Sequence, residues 1–434
     1  MTTQTFIGWD GGERKRFTMV DGLMLFHLIM IALYYSGAYY FLPIPRNPLL
    51  YYLFGAGIIT SALCIGHNQA ASFFVGFFGL TILLYQLLFY AQVGTPFTGD
   101  LIASYPGVFS AGVFALYARH RTIEQCLDVL FISSVVYALL FLFLTFSLDQ
   151  TQLARAWLVG RGDNPGVFLR HGSDATTGDI SFRIRISPLH LVFGLIYAIC
   201  QRRIRRSLPA LAFVLLFAGC IYICGFRTLQ GISVVCAVFA WAPLKSARFA
   251  HLGLTIIAGT MAVFLCATLL QWNLFELFLE DRTGLVRVEE TRLAISALFA
   301  INPVLGVGLR NNNTDFERLF GNEFFAPSDI GFYGILFQYG LVGFAAVFAL
   351  NYFVYRFVRR FIKQRPGTAA ARTLALTFLF VATYQIISPY LLEEAGSLLL
   401  ALALGTSKQL RVPKTGPEVG ALVRRRLPHK SAVG

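Results

Sequence analysis

Apolar positions in this chain fill long unbroken stretches, separated by short polar turns, and together those stretches take up most of its length. A stretch of about 20 such residues satisfies its own backbone only as a helix, and as a helix it spans the hydrocarbon of a bilayer. The stretches fall near 19–42, 49–65, 71–91, 104–118, 127–147, 186–200, 208–225, 228–244, 250–272, 330–350, 371–388 and 391–406. They predict an all-α polytopic membrane protein with about 12 transmembrane helices. Those at 49–65, 104–118 and 186–200 are short for a crossing. The first follows GERKRF, is too long for the apolar core of a signal peptide and is followed by no small-residue cleavage site, so it is expected to stay as the first span.

Composition supports this and excludes a soluble fold. The 434 residues are 56% apolar and 13% charged, with a mean hydropathy of +0.64, about half the charged fraction of a soluble domain. The net charge of +14 follows topology. With the N-terminus inside, RKR at 14–16, RHR at 119–121, RRIRR at 202–206, KSAR at 245–248, the run 356–365, Arg372 and the C-terminal tail all fall on the inner side, and they hold every lysine. The basic residues therefore report orientation and attraction to membrane lipid, and do not point to nucleic acid.

The spans and their loops make one domain, 1–407; the tail 408–434 is rich in Pro, Gly and Arg and is expected to be a disordered cytoplasmic segment. Two outward loops are long, 148–185 and 273–329, and long ordered loops usually carry function. In the second, ETRLAISALFAIN has helical spacing that must stop at Pro303, followed by a Gly and Asn turn, which predicts a small helical cap between the ninth and tenth spans. The seven cysteines lie in or beside apolar stretches without CxxC spacing and read as core filler. Zinc-protease spacing, a P-loop, GxSxG and dinucleotide glycines are absent, so no metal or cofactor is predicted.

Outward basic residues are all arginine: Arg46, Arg155, Arg161, Arg170, Arg183, Arg185, Arg227, Arg282, Arg287, Arg292, Arg310 and Arg318. A guanidinium fork binds phosphate oxygens in pairs and keeps its charge when partly dehydrated. Arg227, in CGFRTLQG between two apolar runs, sits at membrane depth or near the outer interface; it meets a substrate, snorkels to headgroups or pairs with a loop carboxylate. Arg292 lies on the loop helix three residues after Glu289, close enough for an ordinary ion pair, with Arg287 and Arg310 flanking it. Asp329, in APSDIGFYGILFQYGLVG, opens the tenth span and is either a helix cap or a weak base. Tyr333 and its aromatic neighbours either stack on sugar rings or anchor the helix at the interface. His190, Glu393 and Glu394, in or beside spans, would suit a proton or ion path.

The layout resembles the O-antigen ligase and O-antigen polymerase superfamily. The shared features are an arginine between the seventh and eighth spans, a long outward loop after the ninth, RLAISALFAINPVLGVGL, and a tenth span closing on Gly-Leu-Val-Gly. The motifs cover roughly 210–350 and the layout most of the chain. The resemblance implies a glycosyltransferase of the bacterial inner membrane with both termini cytoplasmic. Its substrates would be undecaprenyl-pyrophosphate-linked glycan donor and acceptor, used at the periplasmic face without metal or nucleotide. Arg227 and Arg292 would hold the pyrophosphate, with Arg287, Arg310, Arg183, Arg185 and Tyr333 as further substrate contacts. Ligases of the family carry His eleven residues before the Gly-Leu-x-Gly; Asp329 stands there in this chain, as in polymerase-type members. The implied reaction is polymerisation of repeat units for O-antigen or exopolysaccharide, with a chain-length regulator as a candidate partner. The alternatives are a ligase passing finished glycan to a lipid or protein acceptor, and a non-enzymatic transporter or flippase, whose marks would be inverted repeats and Gly- or Pro-broken spans meeting at the membrane midplane with paired charges; the sequence shows none of these, and its polar residues gather at the outer edge.

Overall fold

The computed structural model describes residues 18–42, 44–94, 105–149, 169–173, 180–184, 186–205, 208–278, 282–309, 319–320, 325, 327–386 and 395–410. Its helices are α1 Met19–Ser36, α2 Arg46–Leu63, α3 Gln69–Val93, α4 Pro106–Tyr117, α5 Ile123–Ser147, α6 Pro188–Arg205, α7 Leu208–Ile223, α8 Arg227–Trp241, α9 Ser246–Leu269, α10 Arg282–Ile301, α11 Phe332–Gln364, α12 Ala369–Tyr384 and α13 Ala395–Thr406. Each apolar stretch contains one helix, and α10 lies in the long loop. Among the described residues α1, α3, α5, α9 and α11 are long and apolar enough to cross a membrane. One feature of the loop 148–185 was not expected: an antiparallel ribbon of β1 Leu169–Ser173 and β2 Ile180–Ile184, in which Arg170 opposes Arg183.

The shorter helices have a physical reason. α4, α6, α12 and α13 are buried along nearly their whole length, so they form an inner group around which the other helices present an apolar outer face. A helix that is apolar all round belongs in such an interior. α4 lies between α2 and α13 and packs most closely on those two. Its Gly112 meets Ser61 and Gly57 of α2 with no room for a side chain, the close backbone approach that small residues allow. Six cysteines are buried in these contacts, whereas Cys266 is exposed.

One end of the bundle is tied together by polar contacts. Thr18 caps α1 with Asp21, whose carboxylate accepts from Arg121 Nε at 2.9 Å, Arg121 Nη2 at 2.8 Å and Tyr117 at 2.7 Å. Arg365 pairs with Glu124 at 3.2 Å. The buried Arg372, at the start of α12, donates to the carbonyls of Phe239, Ala240, Ala242 and Leu244, which closes the last turn of α8. The chain's C-terminal described residues cross this end: Gln409 Nε2 donates to Ala118 and Arg121 carbonyls at 2.7 and 2.6 Å, and Lys408 Nζ to the His67 carbonyl at 2.9 Å. The basic segments 119–121, 245–248 and 356–365 thus share one end.

At the opposite end α11 is broken. It runs on past residue 350 to Gln364, because nothing interrupts it before Pro366 and Gly367, but Gly340 within it has φ 61° and ψ −164°. The rings of Phe332 and Phe344 lie 5.9 Å apart, although twelve residues of straight helix would separate them by about 18 Å. Gly340 therefore folds the first two turns of α11 back against the rest. A break in a spanning helix frees backbone groups that need partners, and the segment 303–309 supplies them. Val307 and Gly308 N–H donate to the carbonyls of Phe337 and Gln338 at 2.7 and 3.0 Å, and Leu341 and Val342 N–H to those of Pro303 and Val304 at 3.1 Å each. From α3, Tyr85 hydroxyl donates to the Tyr339 carbonyl at 3.2 Å, and the Tyr85 carbonyl accepts from Leu309 N–H at 3.0 Å. The two glycine motifs, far apart in sequence, form one seam.

Candidate functional site

α8 and α9 are joined by a short turn at the tied end. α9 has 24 residues, about 36 Å, whereas α8 has 15 and α12 has 16, each shorter than α9 by about 12 to 14 Å.

Arg227 is the first residue of α8. The sequence places it there: Gly225 turns the chain at φ 63°, and Gln230 Nε2 clasps the turn by donating to the carbonyls of Ile221 and Tyr222 at 3.3 and 3.0 Å. The Arg227 side chain is exposed and has no ion pair with another described residue. Beside it, Phe226 packs edge-on against Tyr384 at the end of α12, with ring centroids 6.3 Å apart. Just past that helix end, Gly331 lies against the Ile386 carbonyl, where a Cβ would come within 2.6 Å. The turn Pro327–Ile330, which contains Asp329, therefore flanks the same helix end as Arg227. The cap position of α11 is Gly331, φ 58°, two residues after Asp329, because Pro327 starts a separate turn that folds over Gly334. The Asp329 side chain lies outside the described residues.

α10 rests on α11 and on this same turn, through a face of Ala294, Ile295 and Leu298. Its far face carries Arg292, exposed, with Arg287 half-buried. Glu289 does not pair with Arg292, which has no ion pair among the described residues. α10 leads by way of Asn302 into the seam; Asn302 Oδ1 accepts from Val304 and Leu305 N–H at 3.1 and 3.0 Å.

Tyr333 is a correction. It is 1% exposed, its hydroxyl donates to the Trp272 carbonyl at 2.8 Å and accepts from Leu274 N–H at 3.2 Å, so it ties α9 to α11 and offers no face to a sugar ring. Arg183 lies on β2 with its side chain outside the described residues; Arg185, Arg310, Glu393 and Glu394 lie outside them altogether. His190 is buried in α6 with Nδ1 2.8 Å from Ser187 Oγ, and His27 of α1 is likewise buried, Nε2 3.0 Å from Ser110 Oγ.

Sequence reasoning passed over Glu290 and Thr291, which are buried on the inner face of α10, with Thr291 Oγ1 unpartnered. It also passed over Gln86 on α3, fully buried next to Tyr85 with both ends of its amide unpartnered. A lone glutamine within FFGLTILLYQLLFY was the available signal; nothing in EETRLAI distinguishes Glu290 from Glu289.

The arrangement has the chemistry of an anion site. The first N–H groups of α8 have no intrahelical partner and present the positive end of the helix dipole, and Arg227 adds a full charge there. No protein-family model matches the chain, and no curated protein matches its sequence.

Proposed function

We propose that the protein is an inverting, metal-independent glycosyltransferase with twelve spans in a bacterial inner membrane, both termini cytoplasmic and the loops 148–185 and 273–329 periplasmic. It polymerises undecaprenyl-pyrophosphate-linked repeat units of an O-antigen or exopolysaccharide. In the step, an acceptor hydroxyl oxygen bonds to the anomeric carbon as that carbon's bond to the diphosphate oxygen breaks. The diphosphate leaves with the electron pair, and the hydroxyl proton passes to Asp329. Negative charge grows on the leaving group, so Arg227, the α8 N-terminus and Arg292 stabilise the transition state more than the ground state. Asp329 needs only to be a weak base because diphosphate leaves readily.

The observation that carries this reading is the exposed Arg227, without an ion pair among the described residues, at a helix N-terminus that flanks the same end of α12 as the turn with Asp329. The test is elongation of lipid-linked repeat units by the purified protein in liposomes. Arg227→Ala is expected to lower turnover by about 10²-fold or more, the usual cost of removing a group that stabilises developing charge; undiminished turnover overturns the mechanism. A single transfer of finished glycan to a different acceptor would make the protein a ligase. A second reading, a transporter or flippase, draws on the break at Gly340 and the buried His27 and His190; movement of the lipid-linked unit across the bilayer without elongation would favour it.

A further inference from the structure

At the tied end of the bundle, three separate segments bring together basic side chains without a carboxylate of their own. His67 lies in the turn between α2 and α3, Arg119 and His120 in the turn between α4 and α5, and Lys408 just after α13. Hydrogen bonds fix their proximity. Lys408 Nζ donates to the His67 carbonyl, Gln409 Nε2 to the carbonyls of Ala118 and Arg121, and Asn68 Nδ2 to those of Leu404 and Gly405 at 3.0 and 2.8 Å. The nearby carboxylates are engaged elsewhere, Asp21 by Arg121 and Glu124 by Arg365. Arg119, His120 and Lys408 are exposed and have no ion pair among the described residues. Their charges reach His67: burial first, then repulsion from Lys408, Arg119 and His120, holds its imidazole below the ordinary pKa.

A second observation points to a lipid as the partner. Within four residues of His67, Leu63 and Ile65 are 66% and 62% exposed. Apolar side chains open to the surroundings beside a cluster of cations match a molecule with an anionic head and a hydrocarbon tail, whereas a soluble polyanion has no use for them.

We propose that Arg119, His120, Lys408 and His67 form a binding site for the phosphate headgroup of an anionic membrane phospholipid, whose acyl chains lie along Leu63 and Ile65. The site rests on the protein's being embedded in a membrane and is independent of its chemistry on glycans. Retention of phosphatidylglycerol, phosphatidylcholine and inorganic phosphate by the full-length protein in detergent can be compared by native mass spectrometry. Phosphatidylglycerol is expected to be held in preference to phosphatidylcholine. Arg119→Gln and Lys408→Gln are each expected to weaken that retention about fivefold, with unchanged melting of the protein. Arg359→Gln with Arg360→Gln, which removes two exposed charges elsewhere on α11, is expected to leave it intact. Three results overturn the proposal: equal retention by the Arg119 and Lys408 variants, an equal loss in the Arg359 and Arg360 variant, or displacement of the lipid by inorganic phosphate. A protein soluble without detergent would instead remove the membrane reading.

Discussion

Replacing Gly340 by alanine tests the seam that closes the broken helix. Its backbone, φ 61° and ψ −164°, belongs to a region nearly closed to residues with a Cβ, at a cost of about 1–3 kcal/mol. The added methyl would also strike the Val304 carbonyl and the Gly306 nitrogen, and come within 2.5 Å of the Val304 carbonyl carbon. These are backbone atoms with no free rotation to escape by, so the segment 303–309 must move away. That separation breaks backbone hydrogen bonds at Val307, Gly308, Leu341 and Val342, each worth about 1 kcal/mol net and more when its groups stay buried. The combined loss is on the order of 5 kcal/mol. Thermal unfolding of the detergent-solubilised protein, followed by a thiol-reactive dye at the buried cysteines, should show Gly340→Ala melting many degrees early or failing to accumulate folded. Gly219→Ala, on α7 with open space around it, should melt with or slightly above the parent. If Gly340→Ala melts within a degree or two of the parent, the pairing of the two glycine segments is not present in the folded protein.

Further outcomes follow from the other contacts. Arg372→Met should destabilise by about 3 kcal/mol or more, since four carbonyls at the end of α8 lose a charged donor; the same melt reads it. Tyr333→Phe should cost about 1–2 kcal/mol by leaving Leu274 N–H without its partner, while turnover on lipid-linked substrate stays near the parent value, as expected of a structural hydroxyl. For His67, whose pKa in the folded protein is lowered from 6.5, the unfolded chain binds more protons as pH falls through 6.5 and below, so stability is lost in that direction. His67→Gln should flatten the fall in melting temperature between pH 7 and pH 5.

The helices were legible because an apolar stretch in a bilayer has only one way to satisfy its backbone, and each of the twelve stretches does contain one. Lengths were less so: α11 extends through its basic residues to Gln364 because arginine and lysine favour helix, and hydropathy registers only the span. Which helices are interior was hidden, since α4, α12 and α13 are apolar on all sides and show no face to read. Of the proposed site, Arg227 and Arg292 were singled out from charge alone. The contacts of Phe226 with Tyr384 and of Gly331 with Ile386, which bring Arg227 and the turn with Asp329 to one helix end, join segments far apart in the chain and leave no local pattern to read. The fold-back at Gly340 was invisible because a Gly-Leu-Val-Gly string is compatible with an unbroken helix; only its pairing with 303–309 reveals the turn.

The position of α4 bears on how the molecule is made. α4 is enclosed by α2 from the early part of the chain and by α13 from its last helix, so one wall of its berth leaves the ribosome roughly 290 residues after α4 itself. At about 5–20 residues per second this is some 15 to 60 s of translation. Throughout that interval a 12-residue segment too short to span by itself waits beside its first partner without its second, exposed to membrane proteases and insertion chaperones. Truncated or stalled chains should therefore be cleared at α4 first.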